Sequence, residues 1–240
     1  MSTATPTKQV REYAIEQPSS VRVFERFGID YCCGGRKSLD QACAELQLSV
    51  DQVLDKIEEA AHGRQAESPD EWTNRPLFEL CDHIVQHHHD FTREELPRLV
   101  RLARTVNAKH GIHMPQMAEI DLLLEELQRE MSMHMLKEEQ VLFPHIKRLE
   151  EAEFTGEPVF PAFFGSVSNP IAAMIAEHDD AGEIMAKLSK LTNHFTPPSA
   201  CAKTSALYHG IREFERDMHR HVHLENNILF PRAFNLEQGQ

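Results

Sequence analysis

His134-Met135-Leu136-Lys137-Glu138-Glu139-Gln140-Val141-Leu142-Phe143-Pro144 recurs near the carboxyl end as His221-Val222-His223-Leu224-Glu225-Asn226-Asn227-Ile228-Leu229-Phe230-Pro231. Both copies read H-x-x-x-E, then a short apolar run, then Phe-Pro. Upstream of each stands a His-Asp pair, His89-Asp90 and His178-Asp179. The chain thus carries His-Asp on one helix and H-x-x-x-E on the next, twice over. This repeat predicts an all-α fold, a four-helix bundle closed around a pair of metal ions.

Working outward, apolar residues recur at steps of three and four around each copy, the period of a half-buried helix. The first helix is expected from near Pro76, which suits a first turn, to about Asn107. Pro97 should kink or divide it. The second follows Pro115 and carries Ile120, Leu124, Leu127 and Met131. The third opens at Asn169-Pro170 with Ile171, Met174, Met185 and Leu188 on one stripe. The fourth runs from about Ala200 with Leu207, Ile211, Phe214, Met218 and Ile228. Residues 151–169 form a long connection, rich in Gly, Pro and Phe, expected to be a lid or a crossover.

The His and Glu of the repeat fall on these apolar stripes, where Leu or Ile would otherwise stand. An ionised Glu buried without a partner costs several kcal/mol. Two of them, each one turn after a buried His, call for a strong cation. Residues four apart share a helix face, so imidazole and carboxylate reach one ion, and two facing helices supply carboxylates that bridge two ions. Bundle cores with inward Glu and His are a setting for di-iron and di-manganese sites. The candidate ligands are His89, His134, Glu138, His178, His221 and Glu225. Within His87-His88-His89, the two-copy pattern selects His89, followed by Asp as His178 is. His110 is a candidate fifth ligand, whereas His83, His113 and His145 are expected outside the set. Four imidazoles and two carboxylates suit iron, since manganese sites are richer in oxygen. The chain has no H-E-x-x-H, which argues against a zinc protease.

The chain has 240 residues, room for one substantial core and a small extra unit. Its formal charge of −13 argues against a nucleic-acid partner. No apolar run approaches the roughly 20 residues of a membrane span, and the amino terminus lacks the apolar core of a signal peptide, so the cytoplasm is the expected compartment. The 15 His are far above a usual share, and the five Cys are expected to be reduced thiols.

Residues 1–62 form a small helical unit. Its helix starts are read at Pro18-Ser19-Ser20, at Ser38, and at Ser49 with Gln52, a capping box. The turn Asp30-Tyr31-Cys32-Cys33-Gly34-Gly35 lies within it, with Arg36 and Lys37 beside the thiols to lower their pKa. Adjacent cysteines are poorly placed to pair with each other, so Cys32 and Cys33 are read as a reactive or iron-binding thiolate pair, or as two free thiols. The unit is marginal alone and is expected to dock or dimerise. Residues 63–75 read as a polar linker, and residues 76–240 as the bundle.

Asp30-Tyr31-Cys32-Cys33-Gly34-Gly35, Glu177-His178-Asp179 and both H-x-x-x-E stretches with their Leu-Phe-Pro ends resemble the repair-of-iron-centres (RIC) family. The likeness covers nearly the whole chain. It implies a hemerythrin-like bundle behind a cysteine-bearing domain, with two iron ions per chain bridged by an oxo group and by carboxylates. Carried over, the ligands are His89, His134, His178 and His221, with Glu138 and Glu225 bridging, and His110 matches an additional candidate. The tripled His87-His88-His89 departs from the single His of the family. The resemblance further implies repair of iron–sulfur clusters damaged by nitrosative or oxidative stress, in the cytoplasm and often as a homodimer. Damaged iron–sulfur proteins would be its partners, and NO or O2 small-molecule ligands of the site. Two other functions fit the same ligand set: a di-iron nitric oxide reductase, or a hemerythrin-like binder of NO or O2 that leaves the cysteines unexplained.

Overall fold

The computed structural model describes residues 5–17, 19–31, 34–62, 72–158, 162–196 and 202–239. All regular elements among them are helical. The first unit contains α1 (Val10–Glu16), α2 (Ser19–Phe27), α3 (Leu39–Glu45) and α4 (Val50–His62). Gly28 ends α2 in the left-handed conformation that a residue without Cβ adopts freely. Ser38 and Gln41 close a capping box on α3, and the Gln52 amide donates to Ser49 Oγ at 3.4 Å ahead of α4. Tyr13, Phe24, Ile29, Tyr31, Leu39, Val53 and Ile57 are buried together in a core of their own.

The bundle follows. Helix one is α5 (Leu77–His83), a π-helical turn Ile84–His89, and α6 (Asp90–His110). Helix two is α7 (Gln116–Lys137), a π-helical turn Glu138–Leu142, and α8 (Phe143–Thr155). Helix three is α9 (Ser168–Leu191), without interruption. Helix four is α10 (Ala202–Leu224), a π-helical turn Glu225–Leu229, and α11 (Phe230–Gln238). α6 packs on α7 and α10, α7 on α9, and α8 on α5 and α11. At Gly210 the side chains of α6 press so closely on the α10 backbone that a Cβ would lie 2.6 Å from Leu99 Cδ2.

Pro97 does not divide helix one, because α6 runs through it from Asp90 to His110. The interruptions fall elsewhere, and two of them follow from the Phe-Pro ends. Pro144 and Pro231 lack an N–H, and their rings clash with the carbonyl four residues back. The widened turn before each relieves this: the Phe143 amide bonds the Glu138 carbonyl, and the Phe230 amide bonds that of Glu225, five residues back. For residues 151–169, the contacts of the described positions favour the crossover over the lid. Phe164 packs edge-on against His145, and Glu237 accepts from the Val167 amide at 2.7 Å. Phe164 and Val167 therefore fasten the start of α9 to α8 and α11.

The bundle core is split in two. One cluster holds Leu96, Leu99, Leu124, Leu127, Met131, Met185, Leu188, Ile211 and Phe214. The other holds Leu80, Ile84, Leu142, Phe143, Ile146, Met174, Leu229 and Phe230. His89, His134, Glu138, His178, His221 and Glu225 occupy the layer between them, at sequence positions flanked by members of both. The first unit docks outside this layer. The Tyr31 ring lies edge-on to His219 and His223 of α10, at 5.9 and 5.5 Å between centroids, and α1 packs on the turn Glu225–Leu229. Among the described residues, no helix is long and apolar enough to cross a membrane.

Candidate metal centre

Each helix of the bundle delivers its residues inward by register. His134 and Glu138 stand one turn apart at the end of α7, and His221 and Glu225 at the end of α10. His89 closes the π-helical turn of helix one, and His178 lies midway along α9. All six are at most 2 % exposed. They gather as two groups, His89, Glu138, His221 and Glu225, and His134, Glu138, His178 and Glu225; within each group the candidate ligand atoms lie within 4.8 Å of one another. Both carboxylates belong to both groups.

The distances show how sharing works. Glu138 Oε2 is 3.3 Å from His89 Nε2 and 3.3 Å from His134 Nε2. Glu225 divides its oxygens, Oε1 at 3.0 Å from His221 and Oε2 at 3.1 Å from His178. The imidazole nitrogens face each other in pairs, His89 with His221 at 3.2 Å and His178 with His134 at 3.0 Å. Two imidazoles bonded to one ion at about 2.1 Å and a right angle apart stand about 3 Å from each other, so each pair is spaced to share a cation. Both oxygens of Glu138 and Oε2 of Glu225 are buried without a hydrogen-bond partner among the described residues. Buried acceptors in that state are what a cation satisfies. The residues present therefore fit a pair of metal ions.

Electrostatics agree. Burial would raise the Glu225 carboxyl, yet the charges of His221 and His178, with the hydrogen bond to His221, hold it well below the usual carboxylate range. Glu138 is raised by burial and by Glu225, and the surrounding His134 and His89 reverse this. Burial pulls His134 down, but Glu138 and Glu177 carry it up to about 10. His89 moves up for the same reason, through Glu138. Burial instead wins at His221, which moves down, and the His89 charge adds to it. Without an ion, the carboxylates stay charged by keeping protons on neighbouring imidazoles, and a cation replaces those protons.

The outer nitrogens are held in turn. His89 Nδ1 lies 2.6 Å from Glu139, which also pairs with Arg93. His134 Nδ1 lies 3.0 Å from Glu177, itself paired with Lys137. His178 Nδ1 lies 3.0 Å from Asn226. Such partners fix the tautomer that turns Nε2 inward and raise ligand basicity. His221 Nδ1 is buried and has no hydrogen-bond partner among the described residues; the His88 ring is stacked on His221 at 5.5 Å and 1°. These outer residues were missed in the sequence, although each sits next to a ligand: Glu139 after Glu138, Glu177 and His88 before His178 and His89, and Asn226 after Glu225. A cavity of about 310 Å³ lined by Glu130, Met133, His134, Lys137 and Glu177, among others, opens beside one group.

The structure brings His89 to the cluster and leaves His87 and His88 outside it. His110 is a correction. It ends α6, 21 residues from His89 along a continuous helix and hence about 30 Å away, and it belongs to neither group. Cys32 and Cys33 lie outside the described residues. Of the turn that bears them, Asp30 Oδ2 accepts from the Gly34 amide at 2.7 Å, and a Cβ on Gly35 would lie 2.4 Å from the Tyr31 carbonyl oxygen.

Residues 80–233 match the hemerythrin HHE cation binding domain, and residues 6–61 match a domain of unknown function, DUF542. The chain is 35% identical over 229 residues to a probable iron–sulfur cluster repair protein of Haemophilus influenzae, covering 95% of this chain and 97% of that one. It is 39% identical over 225 residues to the iron–sulfur cluster repair protein YtfE of Escherichia coli O81, covering 92% and 94%. The chain belongs to the iron–sulfur cluster repair (RIC) family. YtfE of Escherichia fergusonii is similar to it at the same 39%. Membership in the RIC family explains the two-part architecture: the hemerythrin match covers the helices that carry the six buried candidate ligands, and the second match covers the docked first unit.

Proposed function

We propose that this chain holds two iron ions in the buried cluster, bridged by Glu138 and Glu225, and that it serves the repair of iron–sulfur clusters damaged by nitrosative or oxidative stress. The observation that carries this reading is the sharing of both carboxylates between two His-Glu groups. Bridging carboxylates suit delivery, because a shift or protonation of one bridge loosens both ions together. Bound iron would supply redox chemistry and affinity for NO or O2. The chain's own residues set the rest. Two apolar core clusters exclude water from the layer between them, and Glu139, Glu177 and Asn226 orient the ligands.

Cys32 and Cys33 are the proposed transfer thiols, and the partners are damaged iron–sulfur proteins in the cytoplasm. Pairing of two chains would bring four thiolates together. The test is anaerobic reactivation of a damaged cluster protein with isotope-labelled iron in the RIC donor, comparing wild type with the Cys32→Ala/Cys33→Ala variant. Two irons per chain and label in the restored cluster support delivery, and loss of repair with iron content intact assigns transfer to the thiols. Unchanged repair in the double variant removes the cysteines from the mechanism. Steady NO turnover that needs the bundle ligands and ignores the thiols, without transfer of label, favours an NO-reducing enzyme.

A further inference from the structure

One set of polar side chains around the centre is not used by the ligand shell or by its hydrogen-bonded supports. His88 is 6 % exposed, its ring lies parallel to that of ligand His221, and its Nδ1 is 3.0 Å from Asp217 Oδ1. Asp217 Oδ2 is buried and without a hydrogen-bond partner among the described residues. On its outer side the His88 ring meets His83 edge-on, at 5.8 Å and 80°. His83 in turn lies 4.4 Å from His87, which is exposed to solvent. An unbroken run of imidazoles, with one carboxylate, therefore leads from the surface to a ligand of the buried centre.

The internal repeat gives this run a counterpart. His88 precedes His89 as Glu177 precedes His178. Glu177 touches ligand His134 and lines the cavity on that side, while His88 touches ligand His221 on the other. Packing alone does not call for His88 and Asp217, since Leu or Phe would fill the space without desolvating an imidazole and a carboxylate oxygen. Imidazole and carboxylate are also the donor types of the centre itself, so they select the same divalent first-row ions.

We propose that His83 and His87 form a surface station for a divalent transition-metal ion, and that His88 with Asp217 passes the ion inward to His221. His83 and His87 lie four residues apart on one side of helix one, as two imidazoles sharing an ion require. Movement inward exchanges one imidazole or carboxylate ligand for the next, and no electron is transferred. The proposal rests on the reading of the buried cluster as a two-metal centre.

The test uses Co2+ as probe with the full chain, because its visible absorption reports coordination. Metal-free wild type is expected to fill the centre with two ions and then to take up a third, more weakly held. The His83→Gln/His87→Gln variant should keep two and lose the third. His88→Phe, which retains a ring against His221 but offers no ligand atom, should reach the same two ions several-fold more slowly. A wild type that holds two ions and no third, a double variant that retains the third, or an unchanged loading rate in His88→Phe overturns the route. Failure of wild type to hold two ions would instead sink the two-metal reading beneath it.

Discussion

The two halves of the bundle carry the same inner ligands and different outer ones. Helices two and four match closely: each places a His in the last turn of its α-helical stretch, opens a π-helical turn with Glu, and resumes at Phe-Pro. One residue outward, the likeness fails. Glu139 supports His89 where its counterpart Asn226 supports His178, and Glu177 supports His134 where His88 stacks on His221. The inner positions are constrained by charge, because two buried carboxylates among four imidazoles need cations or protons to offset them. The outer positions need only hold a ring, which a carboxylate, an amide or an aromatic face can each do.

The strongest way to break this equivalence is at the bridges. Glu138→Ala and Glu225→Ala should each lose at least one of two ions, measured as metal per chain, since each removes a ligand common to both groups. Full occupancy in either variant would show that the halves do not share their carboxylates. His89→Ala should behave alike, and His87→Ala should keep both ions.

The outer partners should cost less. Glu177→Gln and Glu139→Gln are expected to weaken metal binding about 10–100-fold, and Asn226→Leu to fall at the lower end because a neutral partner is lost. Competition against a chelator of known affinity measures all three, and equal losses would erase the outer asymmetry.

A third difference concerns protons. In metal-free protein His134 is held up to about 10 while its repeat counterpart His221 is moved down. His134 should thus remain protonated at pH 8 and His221 neutral, as nitrogen chemical shifts would show. Because His134 is raised, its stabilising contribution to the metal-free fold is full below the ordinary histidine value and is lost as pH climbs through about 10. Metal uptake near neutrality must displace that proton, so binding weakens as pH falls. Joint titration of the two imidazoles would contradict the assignment.

The smallest expected effect lies where the first unit meets helix four. Glu215 is half-buried near Asp30, and burial first, then Asp30, pushes it up to about 7 against the pull of Arg216 and Arg212. The folded chain keeps a proton there that the unfolded chain releases near 4.5, so stability should decline as pH rises from about 4.5 to about 7. Glu215→Gln should flatten that part of the melting profile, and an unchanged slope would remove Glu215 as its source.

Much of this was legible in the residue order. Period-three-and-four stripes placed the four helices, because burial of one face is written along a single segment. Glu138 and Glu225 within those stripes marked the centre, because an ionised group is put among Leu and Ile only with compensation. The Phe-Pro pairs also held the two π-helical turns, since proline forbids an ordinary turn before it. Of the two outcomes expected at Pro97, a kink or a division, the continuous α6 excludes the division.

The sequence by itself determined the helices, the six buried His and Glu as candidate ligands, and the His-Asp and H-x-x-x-E repeat, all of which depend on spacing within one helix. Only the tertiary structure decided that Glu138 and Glu225 each face both groups, which outer residue holds which ring, and that Tyr31 docks on His219 and His223. Those contacts join side chains from different helices, and their geometry depends on how the helices are rotated against one another, a quantity that no single segment encodes.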